Sequence, residues 1–149
     1  MVRLEVIEMA EPSIEALNKT ALFAAVSDET QKGILMDCLK RAFHIVQRCA
    51  DRALLAGTYR IVASDYPGEI NVYMGGTVEA VKDRHGLPIP YQQFGNKVMV
   101  SGDYAEVVFA TAVNDAEYDA LFPVVLKYAT ALYDGSDAVT LNAILKEVL

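Results

Sequence analysis

Residues 58–74, TYRIVASDYPGEINVYM, decide the fold class, because their apolar rhythm has a period of two and is broken once. Tyr59, Ile61 and Ala63 alternate with Arg60, Val62 and Ser64, the pattern of a strand with one buried face. Asp65-Tyr66-Pro67-Gly68 supplies turn chemistry and EINVYM (69–74) resumes the alternation, so the stretch reads as a β-hairpin. Gly75-Gly76 would weaken a straight strand and marks a bulge or a close backbone approach, after which TVEAV (77–81) continues the sheet.

Further along, KVMVS (97–101), the Gly102-Asp103 turn and YAEVVFATAV (104–113) read as a second hairpin, with Gly first in the turn as a type II′ loop prefers. Near the N-terminus, VRLEVIE alternates Val2, Leu4 and Val6 with Arg3 and Glu5, a short half-buried strand. The strands together predict a mainly antiparallel sheet of four to five strands, two hairpins plus the N-terminal strand.

The helices are read from caps and from three-four spacing. Pro12 suits a first turn, and Ile14, Leu17, Ala21, Leu22 and Ala25 carry a helix to about Val26. Ser27 or Asp28 then caps a second helix from Glu29 to about Leu55. Its apolar face holds Ile34, Leu35, Cys38, Leu39, Val46 and Cys49, and its polar, largely basic face holds Lys40, Arg41, His44, Gln47, Arg48 and Arg52. Asn114, with Glu117 three residues on, opens a helix over 115–133 that Pro123 should kink or restart. Residues 120–133 carry one charge, Lys127, so that helix is either central or covered by another subunit. Ser136 or Asp137 caps a last amphipathic helix with Val139, Leu141, Ile144, Leu145 and Val148 on its apolar side. The expected fold is α+β, with two helices before the hairpins and two after, in a single domain spanning 1–149.

Length and composition agree with a folded chain: 149 residues, 53% hydrophobic and 22% charged. The formal charge of −7 argues against nonspecific binding to nucleic acid or anionic lipid, which needs a basic surface. No stretch approaches the roughly 18 continuous apolar residues of a membrane span, and no secretory leader is evident, so the expected location is cytoplasmic. Cys38 and Cys49, eleven apart on one helix, lie about 16 Å from each other, too far for a disulfide between them. They read as buried reduced thiols. The chain lacks a phosphate-binding glycine loop, a dinucleotide fingerprint, paired metal-ligand spacing and a Gly-x-Ser-x-Gly elbow, so no cofactor and no metal are expected.

The longest irregular stretch is KDRHGLPIPYQQFG (82–95). It places Asp83, Arg84, His85, Tyr91 and Gln92 close together in sequence, offering a base, an anion clamp, a proton shuttle and hydrogen-bond donors, and Tyr66, on the Asp65–Gly68 turn at one end or the other of the sheet, is a further ligand-binding candidate. Against a site, Gly86, Pro88 and Pro90 explain the irregular path by themselves, and Leu87, Ile89 and Phe94 would anchor it on the core. The basic helix face could hold an anion but reads first as pairing with the acidic residues before it.

The features favour a non-enzymatic cytoplasmic module that binds a small ligand, with an anion as the candidate, or a protein partner as a homo-oligomer, most simply a two-fold dimer. One alternative is a small enzyme acting on an anionic metabolite, with His85 as acid or base, Asp83 orienting it and Arg84 holding the anion. The other is a purely structural subunit.

Overall fold

The computed structural model describes all 149 residues, and the α+β class stands: four helices, a four-stranded antiparallel sheet and a three-stranded one. The chain forms two compact units, Met1–Ala10 with Leu55–Ala112, and Glu11–Leu54 with Val113–Leu149.

The first unit holds β1 (Val2–Met9), β2 (Gly57–Ser64), β3 (Glu69–Asn71), β4 (Thr77–Lys82), β5 (Gln92–Phe94), β6 (Lys97–Met99) and β7 (Tyr104–Thr111). Neither expected hairpin forms. The large sheet runs β1-β2-β7-β4 and the small one β3-β6-β5. The physical reason is β7, whose eight residues alternate without fault and match β2 rung for rung, from Gly57↔Thr111 to Ser64↔Tyr104. After β2, Asp65 (φ 53) and Gly68 (φ 84) turn the chain out of that sheet, and β3 finds β6 instead. The strand missed within 82–95 is β5, joined to β6 by Gly95-Asn96 with Gly95 at φ 60.

One face of the large sheet is core. Tyr59, Ile61 and Ala63 of β2 and Ala105, Val107 and Phe109 of β7 are fully buried, and the Tyr59 and Phe109 rings stack at 5.3 Å. A bulge between Val78 and Ala80 displaces Glu79, so Val78 and Val81 both line up with Phe109 and Val107. Gly76 is the close approach its pair of glycines suggested: a Cβ there would lie 2.3 Å from the Phe109 ring.

The second unit is helical: α1 (Ile14–Phe23), α2 (Glu29–Ala50), α3 (Asp115–Tyr133) and α4 (Ala138–Leu145). Ser13, Asp28, Asn114 and Asp137 cap them, each side-chain oxygen accepting from the N–H three residues on. Past α1 the Val26 N–H reaches Ala21 O at 2.8 Å and the Ala25 N–H reaches Leu22 O, a Schellman closure with Ala25 at φ 58.

Helix α2 stops at Asp51 (φ 52) rather than near Leu55, and its buried face is rotated from the expected one. Leu35, Leu39, Ala42, Phe43, Val46 and Gln47 are buried, whereas Ile34 is exposed. Gln47, assigned to the polar face, is interior because its side-chain oxygen accepts the Leu54 N–H at 3.2 Å. Phe43 joins Tyr118 and Phe122 of α3 in an aromatic cluster with centroids 5.6–6.1 Å apart. Both cysteines are free, but neither is buried: Cys38 is half-buried and Cys49 exposed. Helix α3 runs without a break through Pro123, which is exposed. Lys40 pairs with Glu11 at 2.7 Å and Arg52 with Glu117 at 3.2 Å, so two members of the basic face meet acidic partners.

Candidate functional site

Chemistry in 82–95 begins with Asp83. Its Oδ1 accepts the main-chain N–H of His85 at 2.8 Å and of Leu87 at 3.0 Å, and the Gly86 N–H donates to Asp83 O, with Gly86 at φ 79. These bonds, the Leu87 N–H foremost, hold the Asp83 carboxyl below its usual range. The turn so made sends the chain back along β4. The Asp83 N–H donates to Leu87 O and the Ile89 N–H to Val81 O, with Lys82 opposite Pro88.

That pattern makes Lys82 and Pro88 a pair whose main-chain groups point away from each other. Pro88 therefore turns its nitrogen outward, where a ladder would need a donor it does not have. The other end of β4 is closed by Gln93, whose Oε1 accepts the Val78 N–H while its Nε2 donates to Gly95 O and Gly76 O. Gln93, overlooked beside Gln92, is the glutamine that ties β5 to β4. The stretch 83–93 is thus a cover over one edge of the large sheet.

The remaining candidates are dispersed. The Arg84 guanidinium lies 3.6 Å from Asp103 and 5.3 Å from the centre of the Tyr104 ring, on an exposed surface. His85 is exposed, and the Asp83 carboxylate faces main-chain N–H groups rather than its ring. Tyr91 and Gln92 do meet, in a cavity of about 410 Å³ shared with Gly68, Pro90, Met99 and Val100. Tyr66 does not line it; that side chain is buried, and burial foremost raises its hydroxyl pKa. No charged side chain lines the cavity, so no cation there would balance an anion's charge. Leu87 and Phe94, expected as anchors, are 61% and 63% exposed; main-chain bonds and Gln93 fix the segment. On α2, His44 is half-buried with its pKa lowered, by burial first and then by Arg48. No three His, Cys, Asp or Glu side chains converge to hold a metal, and no helix is long and apolar enough to cross a membrane.

The opposite edge, β1, is finished differently. The Met1 amine donates to Ser64 O and the Ser64 N–H to Met1 O, so Met1 and Ser64 exchange both bonds. Antiparallel alternation then turns Arg3 and Glu5 toward β2, and turns the N–H and C=O of Val2, Leu4 and Val6 outward. No segment of the chain hydrogen-bonds to those outward groups. Val2, Val6 and the bulged Ile7 are 53%, 45% and 52% exposed beside them. On the opposite face Glu5 is held by Arg3 at 2.8 Å and by Arg60 Nε at 2.9 Å, which lowers its carboxyl pKa, Arg60 contributing most.

The geometry defines an α+β chain with one edge of its large sheet covered and the other open. No family model matches the sequence, and no curated protein matches it. Among solved structures, a chain in the neck of an empty gene transfer agent particle, determined with C6 symmetry, is similar over 98% of this chain and 94% of its own (TM-score 0.65, 12% identity). A chain in the virion of the native particle is similar over 97% and 93% (TM-score 0.62, 15% identity). A third, in the native neck with C12 symmetry, is similar over 95% and 94% (TM-score 0.57, 14% identity).

These likenesses, with the dispersal of the polar candidates, overturn the reading of the chain as a ligand-binding module.

Proposed function

We propose that the chain is a structural subunit of a multi-copy particle, a component of the kind found in the neck of a gene transfer agent. The observation that carries this reading is the fold likeness to a neck chain over nearly the whole length of both chains. The exposed apolar side chains support it: Leu87 and Phe94 on the cover of β4, and Ile14, Leu22 and Phe23 on α1, are groups that a neighbour would bury.

In such a particle the copies form a ring, as the C6 and C12 symmetries of the similar structures suggest, rather than the two-fold dimer expected from the apolar helices. Ring closure uses two different surfaces on each copy, related by one repeated rotation. The test is composition. Particles purified by density gradient from cells that make the chain should contain it at a fixed ratio to the other particle proteins. Particles that lack the chain overturn the reading.

A further inference from the structure

The two edges of the large sheet constrain what a second copy can add to it. A head-to-tail extension, β1 of one copy on β4 of the next, is blocked, because 83–93 covers β4 and presents Pro88 outward. The edges of the small sheet are three residues long. A second copy that continues the large sheet therefore has one long edge to offer, its own β1.

Within β1 the register follows from charge. Ahead of the bulge, Val2, Leu4 and Val6 turn their main-chain groups outward, so an antiparallel partner on this stretch must set these opposite one another. Placing Leu4 opposite Leu4 of the second copy sets Val2 against Val6, Arg3 against Glu5 and Glu5 against Arg3. Sliding by one rung toward the N-terminus sets Arg3 against Arg3, and sliding the other way sets Glu5 against Glu5. Opposite charges across a strand pair stabilise it and like charges oppose it. The central register is thus the one in which all three outward residues find partners and both charges are matched. It also covers Val2 and Val6, and the bulge at Ile7 ends the ladder.

We propose that β1 is a self-pairing strand: two free copies of the chain join edge to edge through residues 2–6, antiparallel and centred on Leu4. The contact is two-fold, so it cannot be the one that closes a ring. It masks the open edge of copies outside the particle, and it stands or falls apart from the structural-subunit reading.

The test uses the full chain. Light scattering at high micromolar concentration should give the mass of two copies, and Leu4→Pro, which removes an outward N–H that β2 does not use, should give the mass of one with unchanged circular dichroism. In a Cys38→Ser, Cys49→Ser background, mild oxidation should crosslink Leu4→Cys. Facing Cα atoms of a hydrogen-bonded pair lie about 5.5 Å apart, within disulfide reach. Val2→Cys should stay uncrosslinked, because its two new thiols sit at opposite ends of the ladder. A wild-type monomer, a dimer or ring that survives Leu4→Pro, or failure of Leu4→Cys to crosslink overturns the proposal. A heterotypic strand partner would show as a wild-type monomer and is excluded by the expected dimer.

Discussion

The large sheet ends at β4 on one side and at β1 on the other, and the two ends are finished by opposite chemistry. At β4 the chain doubles back on a turn fixed by Asp83, occupies the main-chain groups of Val81 and Asp83, and leaves a proline outermost. At β1 the same kinds of groups are left open on Val2, Leu4 and Val6, between apolar side chains that solvent reaches. An uncovered apolar edge is a template for other strands, and natural sheets commonly blunt both ends. This chain covers one with its own backbone and leaves the other open.

The largest expected effect comes from what the two edges share. Phe109→Ala removes the ring that stacks on Tyr59 and lies against Gly76, and should lower stability by about 4 kcal/mol in urea denaturation. A loss near zero would mean that β7 is not the centre of the sheet. Next, Gly76→Ala drives a methyl into the same ring at the root of the covered edge and should cost about 1–3 kcal/mol. A neutral result would show that β4 can shift away without loss.

The contrast between the edges is tested directly by restoring outward donors to the cover. Pro88→Thr with Pro90→Thr should barely move the melting temperature yet raise the apparent mass by light scattering, because the sheet could then grow at both ends. An unchanged mass would show that the prolines are not what blocks that side. The smallest effect concerns the turn beneath them. The folded-state pKa of Asp83 is depressed, so its contribution is present above the ordinary carboxyl range and is lost as pH falls through the lowered value. The amide resonances of His85 and Leu87 should shift together with a midpoint below that of a free aspartate, and Asp83→Asn should abolish the transition. A midpoint in the ordinary range would place the carboxylate outside the turn.

Local signals in the sequence were dependable where a local interaction decides the outcome. Asp28 and Asn114 cap helices because each needs only an N–H three residues away, and Gly76 meets a neighbouring group as its glycine pair implied. Strand partners were not legible. The turn chemistry of Asp65–Gly68 is real, yet β2 pairs with β7, forty residues on, whose buried alternation matches it along its whole length. The face of α2 differs from the expected one by about one residue's rotation because Phe43 and Gln47 break the apolar-polar division, Gln47 with its side-chain oxygen on the Leu54 N–H.

For the irregular stretch, the prolines did explain the path, but their positions became meaningful only once β4 lay beside them. Polar residues gathered in sequence, Asp83 to Gln92, proved to be scattered in space: one builds a turn, one pairs with Asp103, and two line an uncharged cavity.

The closure of α1 has a practical consequence. Ala25 holds a left-handed backbone at the position where helices ordinarily place glycine, and its Cβ resists that conformation by roughly 1 kcal/mol. Thermal tolerance is therefore available to an engineer at one residue, by Ala25→Gly. The chain carries a small reserve of stability that it does not use.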